Sequence, residues 1–288
     1  MNIQTKKKRE YCYSVVICAY NSERYIKDCI DSVLMQLTAN DELIIINDGS
    51  TDNTKKILDG YANNARIKII SNPTNFGLAV SRNIAYKSAN NEIIFYIDSD
   101  TILPEGIIEK IDEYFVNNRD LSALTGQGIE LNKKNKYDEW RYLFFSQTQG
   151  KIEKKNPRYL SGLCMAVKKN ALLNLQGFNE NYRTHAEDVD FAYKLRNAQM
   201  KYIYSPDIFV FHNRTDNEES LKKMAFNHIY WSIIVHKNNG RNYIAKYFFA
   251  SFKILISQIL KCVALRKFYL IDISFKIFFV RLKAILKI

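Results

Sequence analysis

Four prolines and ten glycines in 288 residues leave no room for a collagen repeat or a Pro/Gly-rich linker protein. The five cysteines, Cys12, Cys18, Cys29, Cys164 and Cys262, are odd in number and include no C-x-x-C pair. They read as reduced thiols of a cytosolic protein, not as a disulfide framework. No long apolar segment precedes Tyr11, so no signal peptide is expected. No stretch of about 18 uncharged apolar residues occurs, so no ordinary transmembrane helix is expected. The segment Ala19-Tyr20-Asn21-Ser22-Glu23-Arg24 has no glycine where a dinucleotide fingerprint needs three, and no G-x-x-x-x-G-K-[ST] is present. Dinucleotide-binding and P-loop readings fail on these absences.

What is there is an ordinary globular balance, 47% hydrophobic and 25% charged, in a length that suits one or two domains. The net charge of +12 belongs to the two ends. Lys6, Lys7, Lys8 and Arg9 against Glu10 give +3, and 11 basic residues against Asp272 from Lys237 onward give +10. The body, 11–236, is left at −1. A nucleic-acid binder usually carries its basic patch on the folded body, so no nucleic-acid partner is expected. Basic ends mixed with aromatic residues suit an anionic membrane surface.

Ser14–Tyr20, Leu43–Ile46, Ile67–Ile70 and Ile93–Ile97 are short β-branched runs. Helical patterns lie between them, at Ser22–Leu37, Thr51–Tyr61 and Gly77–Ala89, and Pro104 opens another to about Val116. Continuous apolar strands separated by helices predict an α/β protein, with a mostly parallel sheet covered on both faces. Ser122–Leu131, Tyr159–Val167 and Tyr202–His212 read as further strands. Asp188–Ala198 and Leu221–His236 read as helices. In such sheets ligands bind at the carboxyl ends of strands, which singles out Ala19-Tyr20-Asn21, Asp48 and Asp98-Ser99-Asp100.

Two carboxylates two residues apart after a strand can turn toward one hard cation, Mg²⁺ or Mn²⁺, whose coordination a diphosphate would complete. They also suit a solvated turn. Asp48 could grip a ligand or shape a turn with Ser50. Glu187-Asp188 could be catalytic or could offset a helix dipole, and His212 could be structural.

Seven segments in one order resolve part of this ambiguity. They are S-V-V-I-C-A-Y-N-S-E-R-Y-I (14–26), I-I-I-N-D-G-S-T-D-N-T (44–54), S-R-N (81–83), I-D-S-D (97–100), S-G-L-C-M (161–165), G-F-N-E (177–180) and H-A-E-D-V-D (185–190). The series resembles the family 2 glycosyltransferases over about 13–213. These are inverting enzymes of the A-type nucleotide-sugar fold. The resemblance implies that Ala19 and Glu23 contact the nucleotide, that Asp48 reads the base, and that Arg82 lies near base and diphosphate. It further implies that Asp98 and Asp100 form a D-x-D metal site, which His212 joins in some members, and that Asp188 is the general base; were Asp188 dispensable, Glu187 and Asp190 would be the next candidates. Departures are C-A-Y-N where many members have P-T-Y-N or P-V-Y-N, and N-D-G-S for D-D-G-S. The Tyr-Asn and the Asp remain.

The expected function is metal-dependent transfer from a nucleotide sugar, UDP-linked in the commonest family case, to a glycan or lipid-linked saccharide of the cell surface. A polyprenyl-phosphate acceptor is the first alternative, and a non-catalytic membrane or nucleic-acid adaptor the second. The expected organisation is a transferase domain over 11–239 and a basic amphipathic helical tail over 240–288. The domain divides into a nucleotide-sugar half, 11–131, and an acceptor half, 132–239. In Tyr243–Lys261, Lys246, Lys253, Ser257 and Lys261 form one face. In Phe268–Ile288 the stripe is Asp272, Lys276, Lys283 and Lys287. The tail is expected to lie on the cytoplasmic face of the cell membrane, the alternative being that it packs on the domain.

Overall fold

The computed structural model describes residues 9–288; the basic run Lys6–Lys8 lies outside the described residues. The chain begins with β1 (Tyr13–Ala19), α1 (Ile26–Leu34), β2 (Glu42–Asp48), α2 (Thr54–Asp59), β3 (Ile67–Asn72), α3 (Leu78–Ser88) and β4 (Ile93–Asp98). Then come β5 (Thr101–Ile102), α4 (Ile107–Asn117), β6 (Leu121–Glu130), α5 (Lys136–Phe144), β7 (Lys154–Lys155), β8 (Cys164–Lys168) and α6 (Lys169–Asn174). The remainder is α7 (Glu187–Asn197), β9 (Lys201–His212), α8 (Glu218–Asn238), α9 (Ile244–Ala264), a 3-10 turn (Phe268–Leu270) and α10 (Ile271–Leu286).

One sheet runs in the order β3-β2-β1-β4-β8-β6-β9-β5, with β7 added on β9. β1 to β4 are mutually parallel, β8 is antiparallel to both of its neighbours, and β6 and β9 are parallel again. Successive side chains of a strand point to opposite faces, and here both faces are apolar. Val15, Ile17, Leu43, Ile45, Phe95 and Ile97 join α1 and α4 in one core. Val16, Ile44, Ile46, Ile94 and Tyr96 join α3 and α7 in another. Helices on both sides are why these strands read as unbroken apolar runs.

Several expected boundaries move, α1 for instance running Ile26–Leu34 and not Ser22–Leu37, and two of the moves have a visible cause. Pro104 does not open α4, because Gly106 takes φ +75° and the helix starts behind it at Ile107. Tyr159–Val167 is a strand only from Cys164, since the Ser161-Gly162 turn leaves the sheet to bond elsewhere.

The C-terminal helices share cores with the rest of the chain. Trp140 of α5 is buried among Leu221, Ala225, Cys262, Leu270, Ile273 and Ile277, and its Nε1–H donates to Ser274 Oγ at 2.8 Å. Ile229 and Ile233 of α8 meet Ala284 and Ile285 of α10. α10 is thus largely a packed helix, and removing 240–288 would uncover Trp140 and one side of α8. Among the described residues α9 alone is long and apolar enough to cross a membrane, by length and composition.

Candidate active site

Because β1, β2 and β4 are parallel and in register, with Cys18 opposite Asp98 and Ala19 opposite Asn47, their carboxyl ends form one edge. A cleft of about 120 Å³ opens there between Cys18, Ala19, Tyr20, Asp48, Leu78 and Ser81. Asp48 is its back wall. Asp48 Oδ1 accepts from Asn72 Nδ2 at 2.7 Å and from Phe76 N at 2.9 Å, and Oδ2 accepts from Gly77 N at 2.8 Å. Gly77 sits at φ +99°, and a Cβ there would lie 2.6 Å from the Arg183 carbonyl oxygen. No other residue fits both the dihedral and the space. Ser81 is fully buried on the floor of the cleft, and its hydroxyl has no hydrogen-bond partner. Glu23 stands apart, its Oε2 accepting from Asn53 N at 3.0 Å and Asn53 Nδ2 at 2.8 Å.

β5 is two residues long and antiparallel to β9, and this pairing brings His212 against the D-x-D turn. His212 Nε2 faces Asp100 Oδ2 at 3.4 Å, while His212 Nδ1 meets Glu130 Oε1 at 3.0 Å. Behind them Arg141 pairs with Glu130 at 2.6 Å and with Asp216 at 3.1 Å, and Arg214 pairs with Asp216 at 2.8 Å. Burial works to raise the Asp100 carboxyl, but His212, Arg214 and Arg141 outweigh it and hold the carboxyl at about 2. Burial lowers His212, and the charges of Asp100 and Glu130 reverse this and lift it to about 9.

Arg82 joins the two acidic sites. Its guanidinium, 2% exposed, reaches Glu187 Oε1 at 2.5 Å, Asp98 Oδ1 at 3.4 Å and the Gly162 carbonyl at 2.9 Å. The Gly162 N–H donates to Asp188 Oδ2 at 2.9 Å, and Val189 N–H donates to Asp188 Oδ1 at 2.7 Å. A Cβ at Gly162 would stand 2.6 Å from the guanidinium, which is why this turn carries glycine. Burial raises Asp98 and Asp188, with Arg82 pulling each back down, and pushes Glu187 up to about 8. A raised carboxylate is a stronger proton acceptor.

Ala19, Asp48, Asp98, Asp100, Arg82, Asp188 and His212 therefore gather along one edge, and Glu23 is tied to the turn before α2. Asp100 and His212 face each other, whereas Asp98 turns toward Arg82. The donor set fits a hard divalent cation. Asp100 and Asp98 supply oxygen, and Glu130 occupies Nδ1 of His212, leaving Nε2 toward Asp100. Among the described residues no three acidic, histidine or cysteine side chains stand as a finished cage.

Sequence reasoning did not find Glu130, Arg141, Asp216 or Ser81. The first three meet only through the β6–β9 register, the last turn of α5 and the loop after β9, and no short-range spacing signals that. Ser81 sits beside Arg82 in the S-R-N segment and was legible only as part of it. The S-R-N and G-F-N-E segments dock on each other. Asn83 Nδ2 donates to Glu180 Oε1 and to the Phe178 carbonyl, both at 2.9 Å, and Asn83 Oδ1 accepts from Phe178 N at 2.8 Å.

The family model "Glycosyl transferase family 2" matches residues 14–175. Over 119 residues the chain is 40% identical to an uncharacterized glycosyltransferase of Haemophilus influenzae, covering 41% of this chain and 36% of that one. It is 28% identical over 198 residues to a poly-beta-1,6-N-acetyl-D-glucosamine synthase of Staphylococcus epidermidis, covering 67% and 48%. The matched stretches thus span less than half of these relatives. Among solved structures it is similar to the mannosyltransferase PcManGT of Pyrobaculum calidifontis in complex with GDP-Man and Mn²⁺. The TM-score is 0.62, the identity 17%, and 81% of this chain and 68% of that chain are covered. It is also similar to S. aureus TarS 1-349 in complex with UDP-GlcNAc, with TM-score 0.55, identity 19%, and coverage of 74% and 64%. The architecture is the A-type glycosyltransferase fold.

Proposed function

The chain belongs to glycosyl transferase family 2, and from that premise we propose a metal-dependent inverting glycosyltransferase that uses a UDP-sugar to extend a glycan or lipid-linked saccharide of the cell surface. One observation carries this reading. The D-x-D acids and Asp188, far apart in sequence, are bound into one site by Arg82 and the Gly162 peptide.

The donor's base would enter the cleft between Tyr20 and Asp48, with Ala19 at the end of β1 lining its way to the acids. Glu23 would contact the nucleotide only from the rim. Asp98, Asp100 and His212 would hold Mn²⁺ or Mg²⁺, which when bound neutralises charge on the leaving diphosphate. Arg82 lies against Asp98, where it adds fixed positive charge beside that leaving group. The acceptor hydroxyl attacks the anomeric carbon as the carbon–oxygen bond to the diphosphate breaks. Asp188 takes the hydroxyl proton, its carboxylate held in place by the Gly162 and Val189 N–H groups. Residues 132–160 and 214–240, around α5 and α8, would bind the acceptor. The Staphylococcus epidermidis synthase and the "minor teichoic acid biosynthesis protein GgaB" of Bacillus subtilis, 29% identical over 209 residues covering 68% of this chain and 22% of that one, support a cell-surface acceptor. Such an acceptor and the basic C-terminal helices support a place for the enzyme on the cytoplasmic face of the cell membrane.

The test is nucleotide release from a panel of nucleotide sugars with Mn²⁺. Release from a UDP-sugar, lost with chelator, supports the reading. No release from any donor sinks it.

A further inference from the structure

α9 is built with its apolar side out. The residues it turns into the protein are Ser251, Leu255, Gln258 and Cys262. Ser251 Oγ is met by Arg281 Nε of α10 at 3.3 Å, and with Gln258 it makes half of the inward stripe polar. Phe249, Ile256 and Leu260 point outward with about 60% of their surface exposed, and Phe248, Phe252 and Val263 stand beside them. The aromatic rings continue onto the next helix. Phe248 meets Phe252 at 5.2 Å, Phe252 meets Phe278 of α10 at 4.8 Å, and Phe278 meets the exposed Phe279 at 5.5 Å. Phe268, Tyr269 and Phe275 are exposed too. So large a contiguous apolar face on the outside of a protein marks an interaction site.

The third sector of α9 decides the occupant. Lys246, Lys253 and Lys261 recur about two turns apart beside the apolar stripe, and α9 contains no acid. If the helix lies flat, all three lysines share one depth beside the inserted rings, Lys246 and Lys253 toward the headgroups and Lys261 donating to the Leu143 carbonyl at 3.0 Å. If it crossed a bilayer, they would spread over roughly 22 Å of depth at ~1.5 Å per residue, with a charge near the middle. The inward stripe is also occupied by the folded domain. A second copy of this chain would bring the same lysines against themselves.

We propose that the outward face of α9, with Phe268 and Phe279, is an interfacial docking surface for anionic lipid: the rings enter the acyl boundary and Lys246 and Lys253 meet headgroup phosphates. This rests on the membrane placement given above but not on the catalytic reading, since donor hydrolysis in solution needs no membrane.

The test floats the 288-residue chain with phosphatidylcholine vesicles, with or without phosphatidylglycerol, and measures nucleotide release without vesicles in parallel. Wild type should bind the anionic vesicles tighter than the neutral ones by roughly 30-fold, about 1 kcal/mol for each of Lys246 and Lys253, and high salt should remove the difference. A Phe249→Ser, Leu260→Ser, Phe279→Ser variant should lose flotation while melting and nucleotide release stay unchanged. Wild type that ignores anionic vesicles at low salt overturns the proposal, as does a variant that floats like wild type. So does a solution dimer that the variant breaks, which would assign the face to a second copy. A protein that floats but releases no nucleotide leaves this surface standing and removes the enzymatic reading.

Discussion

Strand β4 and helix α9 draw on the same side chains and place them in opposite environments. Ile93, Ile94, Phe95, Tyr96 and Ile97 are all at most 2% exposed, while Phe249, Ile256 and Leu260 are each about 60% exposed. β4 lies inside a sheet with helices on both faces, so both alternating sets of side chains find a core. α9 has protein on one sector alone, and Ser251, Leu255, Gln258 and Cys262 fill it. Apolar content says that a segment will be covered; the neighbours decide by what. In the sheet the cover is the protein itself, and rigid strand ends are the result, which is what a site built at those ends requires.

The largest effect should come from the strand-end side. Asp188→Asn keeps shape but cannot take the proton, so the transfer rate should fall on the order of 10²–10⁴-fold, with donor binding nearly preserved. Steady-state rates and UDP titrations decide it. Transfer near the wild-type rate would pass the role to Glu187 or Asp190.

Arg141→Leu should cost about 3–5 kcal/mol in stability, because Glu130 and Asp216 would keep buried charges without their common cation. Chemical denaturation measures it, and an undiminished midpoint would mean that the acids take up protons or water at little cost.

The comparison itself is sharpened by matched truncations. Phe95→Ala should destabilise by about 3–5 kcal/mol, whereas Leu260→Ala should stay within about 0.5 kcal/mol. Equal losses would show that α9 is covered by protein in solution. The smallest effect on catalysis is at Ser81. If its unpaired hydroxyl bonds the donor, Ser81→Ala should raise the donor KM by roughly 2- to 12-fold, the worth of one net hydrogen bond, with kcat unchanged. An unaltered KM would leave that hydroxyl without a role.

How legible the molecule was follows the same division. β1 to β4 are unbroken, largely β-branched runs between helical patterns, so their type and the edge they share could be read directly. β5 and β7 are two residues each and carry no periodicity, yet β5 is what sets His212 against Asp100. α5 was hidden because Asp138, Trp140 and Arg141 are buried for three reasons: a hydrogen bond to Asp216 N, a core, and an ion-pair network. No single-face pattern can encode that. The tail was legible as amphipathic in two faces. The structure has three sectors on α9 and a mostly buried α10, because a helix between protein and another medium must satisfy both.

The central claim is that the strand-end acids hold a metal and, through it, the donor's diphosphate. Calorimetric titration of UDP into wild type and Asp100→Ala, each with and without Mn²⁺, tests it directly. Wild type should bind UDP far more tightly with Mn²⁺, and Asp100→Ala should lose that increment while melting as wild type does. The same metal-dependent affinity in both proteins would contradict the account.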